Sequence, residues 1–542
     1  MDVRLPADSV RPPGRTTRPH RVLLVAVMAV GVWLRCAHLG AVGFAEDEID
    51  ILRAVSSYGV GNYAANAEHP MVAKLMAYAS WHAAAKWNMA AAARHLPRVS
   101  EEAALRLPAA LLGGVITPLA LYLLCGEWFP NARVALWAAA FWSLDGQAIA
   151  LNRSAKEDTI FCAFFFLACA LYACAQRLGE RRLRDAHSSY VASGAAFGLM
   201  LASKYMPQYF GLHALYVRIT RPDPGLNRPP RLRYYTAMIG AFLCCNFGVL
   251  MPASWRHLAQ YFRGHTLIHS GYDVAGRIYV NTLAATPAGV PPWFYVVWLA
   301  TRTPLVVLAA AALGVGYVLR HPAARASVFL RLFLVLILLP YSFIAVKFVR
   351  YILPQLALID ILAAIGTVVA IDALARRLPA GARGVIPVGA VVLFIGVPFS
   401  SALATRPYFS LSANALGQLW APPGVLCPDD EFNDAAIREA VMTVAAKAGV
   451  GAAIASDAST VVSTYLARAG RSDIESRSLS RDGLPTPLCE TWIIDGEGHR
   501  YFENEEMLRA VAMRPPVRVW RIRGAVAVRL YAPDSTIPCR VQ

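Results

Sequence analysis

The sequence predicts an α-helical polytopic membrane protein of about eleven transmembrane helices with a small C-terminal extracytoplasmic α/β domain. Three observations predict it. Hydrophobic residues fill 57% of the 542 positions and the mean hydropathy is positive, which is too apolar for a soluble chain. The apolar residues come in runs of roughly 20, the length of one bilayer crossing. The Lys and Arg behind the net charge of +17 fall largely in short clusters between those runs. That is the pattern of cytoplasmic loops and speaks against a nucleic-acid surface.

Residues 1–21 carry Arg4, Arg11, Arg15, Arg18 and Arg21 ahead of the first apolar run, with no persuasive small-residue cleavage site, so they read as an orienting cytoplasmic tail. Helices follow near 22–40, 104–125, 133–151, 158–177, 234–252, 303–319, 327–346, 351–374 and 385–404. The apolar stretch 190–218 is interrupted at Ser203–Pro207 and flanked by basic loops at 181–184 and 228–233. Both flanks favour the cytoplasm, so two short helices meeting near Lys204 fit where one long helix would not. The cytoplasmic loops are then 126–132, 178–189, 219–233, 320–326 and 375–383, four of them rich in Arg. On the opposite face lie 41–103, the short 152–157, the turn at Lys204, the long 253–302, the junction Lys347–Arg350 and everything after 405. The reading makes 22–405 one transmembrane domain and 406–542 a second domain. Within 41–103, Met71, Leu75, Tyr78, Trp81 and His82 recur at helical spacing and predict a helix over Pro70–Lys86 lying along the membrane surface.

After residue 405 the composition turns globular. Asp429-Asp430-Glu431 precedes a helical stretch near 433–448; Ala452–Ala455 and Thr491–Ile494 read as strands, and 517–523 with 525–532 as a terminal hairpin turning at Gly524. Of the ten cysteines, Cys36, Cys125, Cys162, Cys169, Cys174, Cys244 and Cys245 lie in or at apolar runs and read as small hydrophobes. Cys427, Cys489 and Cys539 lie in the tail, where two of the three can pair, and spacing does not choose which.

Chemistry-bearing residues gather on the outer face. Asp47 and Glu48 stand just beyond the first span, where a carboxylate could take a proton from an acceptor hydroxyl or amine; a solvated helix end would account for them as well. Glu68-His69-Pro70 with Lys74 brings together a base, an imidazole and a cation, or else marks a helix start with Pro in its first turn. The cluster Asn152-Arg153-Ser154-Ala155-Lys156-Glu157-Asp158 places four charges in a loop too short to leave the membrane surface. There Arg153 and Lys156 suit a phosphate, and Asp158 an acid partner or a metal. Lys204 interrupts an apolar stretch, and Lys347 and Arg350 form a basic turn on the side opposite the cytoplasmic clusters, better explained by an anion that they hold. Together with Lys204 and Arg153 they suggest a cationic cradle for a lipid-linked phosphate. His265 and His269 would share one face of a helix, without a third ligand fixed by the sequence.

In order along the chain these motifs resemble those of the integral-membrane, polyprenyl-phosphate-dependent glycosyltransferases. The likeness is to the protein O-mannosyltransferase family (glycosyltransferase family 39) and, more distantly, to the lipid A aminoarabinose transferase. The elements are Asp47-Glu48 after the first span, His69-Pro70 with Lys74, and Arg153 with Asp158 ahead of Phe161, Phe164, Phe165 and Phe166. Ser203-Lys204, Pro292-Trp293-Phe294-Tyr295, Thr303-Pro304, Arg350-Tyr351-Ile352-Leu353-Pro354, Pro407-Tyr408 and Asn414-Ala415-Leu416-Gly417 continue the series. Met71 departs from the common His-Pro-Pro, and the tail lacks a β-trefoil repeat and resembles the α/β domain of some bacterial members.

The resemblance implies sugar transfer from a polyprenyl-phosphate-linked donor to a protein, lipid or glycan acceptor at the outer face of the cytoplasmic membrane. Asp47 would be the general base, with Glu48 beside it and Asp158 as second acid. His69, Lys74, Arg153, Lys156, Lys204, Lys347 and Arg350 would hold the donor phosphate, where charge grows as it leaves. A divalent metal ion, if used, would draw on Glu68, Asp158, His265 and His269. The alternative is a transporter or flippase for a lipid-linked anion, which would spread charges through the membrane or repeat one half in the other; the sequence does neither.

Overall fold

A computed structural model describes residues 18–180, 185–220, 229–262, 269–379, 384–480 and 488–534. The chain enters as Arg18–Cys36 (α1), whose first turn takes up the end of the predicted basic tail; residues 1–17 lie outside the described residues. Residues 41–103 fold into Glu46–Gly59 (α2) and Val72–Ala93 (α3), the latter reaching one to two turns beyond the predicted surface helix. Next come Glu101–Leu111 (α4) and Thr117–Trp128 (α5), continuous through a π turn at Leu112–Ile116.

The predicted single helix over 133–151 is in fact two, Ala132–Leu144 (α6) and Gly146–Asn152 (α7), bent by 62°. Asp145 makes the break: its backbone is extended, and its side chain accepts the N–H groups of Gln147 and Ala148, capping α7 as a new helix. Glu157–Glu180 (α8) follows a four-residue turn. The stretch around Lys204 is the expected pair of short helices, Ala186–Ser203 (α9) and Pro207–Ile219 (α10), with Lys204 extended and Pro207 opening the second.

Arg231–Cys245 (α11) ends in a 3₁₀ turn before Pro252–Phe262 (α12). The stretch 269–302 then contains a hairpin, Gly271–Val274 (β1) against Arg277–Val280 (β2), and the helix Phe294–Arg302 (α13). Leu305–Arg320 (α14), Arg325–Phe343 (α15), Leu353–Arg377 (α16) with its 3₁₀ lead Val349–Ile352, and Val385–Val391 (α17) running on to Val397–Thr405 (α18) complete the helical part.

Among the described residues six of these segments are long and apolar enough to cross a membrane, or seven if α6 and α7 count as one span. The other apolar runs read as spans, α9, α10, α11 and α14, fold as helices at the expected places but are too short or too polar to meet that length and composition. The helical core is aromatic: Phe165 and Phe333 lie 5.1 Å apart and Phe329 and Phe333 4.5 Å apart, all fully buried. α14 and α16 cross so closely that a Cβ on Gly366 would stand 1.8 Å from the Ala310 carbonyl oxygen, so only glycine fits there.

After Ala415–Trp420 (α19) and Pro428–Phe432 (α20), the chain builds a five-stranded mixed sheet. Its strands are Ala453–Ala455 (β3), Glu475–Arg477 (β4), Thr491–Gly496 (β5), Arg518–Ile522 (β6) and Ala525–Tyr531 (β7), in the order β4-β3-β5-β7-β6. β3 is parallel to β4 and β5, and the predicted terminal hairpin is the antiparallel β6–β7 pair. Ile437–Lys447 (α21), Ser459–Arg468 (α22) and Glu505–Val511 (α23) accompany the sheet. Cys427 is a free buried thiol and Cys489 is disulfide-bonded, while Cys539 lies outside the described residues.

The C-terminal unit shares its core with α2, α4 and the segment leading into α2. Phe44, Ile49, Val55 and Leu105 form one buried cluster with Ile437, Val441, Ile454, Val461 and Tyr465. This apolar seam fixes the start of α2 relative to the sheet.

Candidate active site

An open cleft lies where α2, the turn 153–156, the start of α16 and the segments 407–410 and 430–433 meet. Asp47 occupies the second position of α2, a place where the aligned N–H groups of a helix start favour an anion. Its Oδ2 is shared by two cations, Lys156 Nζ and Arg350 Nη1, each at 3.0 Å. Desolvation by the surrounding walls would raise the Asp47 pKa; Lys156 and Arg350 override it and hold the carboxyl at about 2. The same pairing raises Lys156 against its own burial.

Deeper in the cleft, Asp158 Oδ1 pairs with Lys204 Nζ at 2.5 Å, and Lys204 stands over the Tyr351 ring. The other Asp158 oxygen is buried and has no hydrogen-bond partner among the described residues. The indole N–H of Trp298, a 1% exposed residue that also lines the cleft, has none either.

The remaining predicted residues divide. Glu48 is fully buried and its two oxygens take the Nε of Arg106 at 2.8 Å, a second Arg106 nitrogen, the Ala155 N–H at 2.8 Å and the Ala45 N–H at 3.0 Å. It joins α2, α4 and the 153–156 turn, and it does not line the cleft. Arg153 lines the cleft, yet its guanidinium donates to the carbonyls of Leu34, Arg35, Ala37 and His38 at the C-terminus of α1, leaving little of it for a phosphate. Lys74, 1% exposed, donates to the Asn66 and His69 carbonyls and so braces the loop before α3; burial brings its pKa down to about 8. His69 Nδ1 lies 3.5 Å from Glu157 Oε1, and burial lowers its pKa. Lys347 donates to the Ile344 carbonyl at the end of α15 and is not part of the cleft wall. Backbone carbonyls, at helix ends for Arg153 and Lys347 and in a loop for Lys74, thus claim three cations that the sequence assigns to an anion.

The expected metal ligands are not brought together. His269 stacks on Tyr501 at 3.6 Å, Asp158 engages Lys204, Glu68 is part of neither contact, and His265 lies outside the described residues. Among the described residues no group of three or more His, Cys, Asp or Glu side chains is placed to hold a metal ion.

Sequence reasoning missed Arg106, Trp298, Asp430, Phe432 and Asn433 in the cleft wall. Asp430 Oδ2 accepts the Val349 N–H at 3.0 Å and the Tyr272 hydroxyl at 3.1 Å, so the tail touches the base of α16 beside Arg350. Burial raises the pKa of Asp430 and takes its neighbour Asp429 to about 8. The run Asp429-Asp430-Glu431 was visible in the sequence; that it reaches back to Arg350 was not.

Residues 83–247, which include Arg106, Arg153, Lys156, Asp158 and Lys204, match the sequence profile of the family described as dolichyl-phosphate-mannose-protein mannosyltransferase. Over that segment the chain is similar to a family of membrane glycosyltransferases, as the motifs implied. No curated protein sequence matches. Among solved structures, the chain is similar to ArnT from Cupriavidus metallidurans bound to undecaprenyl phosphate, at 15% identity, covering 95% of this chain and 98% of that one with a TM-score of 0.49. It is also similar to the apo form of the same protein, at 14% identity, 94% and 97% coverage and a TM-score of 0.49. The apo oligosaccharyltransferase of Archaeoglobus fulgidus is similar at 11% identity, 88% and 69% coverage and a TM-score of 0.49.

Proposed function

We propose that the protein transfers a sugar from a polyprenyl-phosphate-linked donor to an acceptor hydroxyl or amine, with Asp47 as general base. The observation that carries this reading is the sharing of the Asp47 carboxylate between Lys156 and Arg350 at the mouth of the cleft. A carboxylate so paired is ionised but weakly basic. A donor phosphate entering the cleft competes for the same two cations, and as they turn to it the basicity of Asp47 rises. The acceptor then loses its proton to Asp47 as it bonds to the anomeric carbon, the carbon–oxygen bond to phosphate breaks, and the phosphate keeps the electron pair. Lys156 and Arg350, with Lys204 deeper in, face that growing charge. Attack opposite the leaving phosphate inverts the anomeric centre.

The charge clusters between apolar runs support a multi-pass protein of the cytoplasmic membrane with about eleven crossings, the cleft and the C-terminal domain being on the outer side. Membranes containing the protein, incubated with radiolabelled polyprenyl-phosphate mannose, are expected to release polyprenyl phosphate, and Asp47→Asn to abolish that release while the protein still binds donor. The same assay with and without chelator reads the dependence on divalent ions. Undiminished transfer by Asp47→Asn overturns the assignment of the base.

A further inference from the structure

We propose that Asp434, in the C-terminal unit, is a positioning residue for Asp47: it caps the start of α2 from the other side of the seam. This rests on the role proposed above for Asp47. The N-cap of α2 is Ala45, which has no side chain to accept the helix's first N–H groups. The N–H of Glu46, the residue before Asp47, instead donates to Asp434 Oδ2 at 2.7 Å, across 388 positions of sequence. A capping carboxylate there also lies where the helix start favours negative charge.

The cap is itself braced. His499 Nε2 holds the other oxygen of Asp434, and His499 Nδ1 meets the Tyr501 hydroxyl at 3.0 Å; both Asp434 and His499 side chains are 7% exposed. The turn that presents Asp434 is built of residues in the left-handed region, Asn433 at φ 49°, Asp434 at φ 60° and Ala436 at φ 72°. Ala436 has no side-chain reason to be there, and such strain persists where the surroundings over-determine it. Three further contacts fix the same short stretch: the Phe44 N–H donates to the Tyr465 hydroxyl at 2.8 Å, Thr460 donates to Glu46 Oε1 at 3.2 Å, and Arg438 donates to the Ala41 carbonyl at 2.6 Å. A Cβ on Gly43 would stand 2.9 Å from the Arg438 Cβ, so the two parts meet with no room to slide. Asn433, next to Asp434, lines the cleft. The C-terminal unit therefore sets both the wall of the cleft and the position of its base.

The test uses the full-length protein and Asp434→Gly, which removes the carboxylate while suiting the left-handed backbone, beside Asp434→Asn, which keeps an acceptor oxygen. Hydrogen exchange over residues 44–50 is expected to quicken about tenfold in Asp434→Gly and to stay within about threefold of the parent in Asp434→Asn, with exchange over 453–466 unchanged. With polyprenyl-phosphate mannose as donor, kcat is expected to fall about tenfold in Asp434→Gly at unchanged donor KM, and to recover in Asp434→Asn. Unchanged exchange over 44–50, an Asp434→Asn variant as impaired as Asp434→Gly, or a loss that falls on KM overturns the inference. An Asp434→Gly protein that does not fold leaves the decision to Asp434→Asn, whose exchange and kcat must then match the parent. Asp47→Asn run in parallel separates the two readings: if it transfers normally the base assignment fails, while the exchange data still decide the cap.

Discussion

The two sides of the first turn of α2 make different use of the same chemical group. On the cleft side Asp47 is 41% exposed and shares one oxygen between two cations; on the core side its neighbour Glu48 is fully buried, with both oxygens saturated by Arg106 and two backbone N–H groups. A buried ion pair whose every lone pair is engaged has one arrangement and locks α2 to α4. A pair at the mouth of a cleft can exchange partners with a ligand. Adjacent carboxylates on a helix start thus separate, through burial and partners, into an anchor and a group open to a ligand.

The comparison breaks most visibly by exchanging the two losses. Asp47→Asn is expected to lower sugar transfer about a hundred- to ten-thousand-fold, the range for a general base, with little change in the melting temperature measured in detergent. Glu48→Gln should do the reverse: it leaves the Arg106 charge uncompensated and costs about 3–5 kcal/mol of stability, read as a lowered melting temperature or loss of folded protein. Arg350→Ala or Lys156→Ala sharpens the cleft side by weakening polyprenyl phosphate binding about 10- to 100-fold, each removing one charged hydrogen bond, whereas Lys347→Met leaves that binding unchanged.

The smallest expected effect tests the seam by pH. Burial works against the His499 charge, but Asp434 raises its pKa from an ordinary 6.5 to about 10. A group raised on folding contributes stability that is complete below 6.5 and is lost as the pH climbs through 10. The parent is therefore expected to lose melting temperature between those limits more steeply than Asp434→Asn.

Much of the architecture was legible because it is local. Apolar runs of the right length, the break at Lys204 and the hairpin at Gly524 each announce themselves within a few residues. The bend at Asp145 was missed because its polar cap lies inside an otherwise continuous apolar run, and β4 because three residues carry no period. Asp47, Lys156, Asp158 and Arg350 stand on one face in the sequence and do meet at the cleft, with Lys204 joined to it through Asp158. Arg153 and Lys347 point to a phosphate because charges at the membrane surface on that face call for an anion or its equivalent, and Lys74 does so through the family motif. The equivalent turned out to be backbone carbonyls, whose location depends on which helix ends nearby, and no motif records that. Trp298 and Asp430 reach the cleft beside Arg350 from 52 and 80 residues away along the chain, through packing that pattern cannot express.

The free oxygen of Asp158 and the indole N–H of Trp298 are an acceptor and a donor in one cleft, both desolvated by the fold and neither satisfied by it among the described residues. Such groups cost about 1–3 kcal/mol each while unpaired. A ligand offering a hydroxyl to the one and an oxygen to the other recovers that deficit, equivalent to about one to four orders of magnitude in affinity for the pair. A molecule of similar shape without those two groups recovers none of it, so the difference between the two affinities reads what the pair contributes.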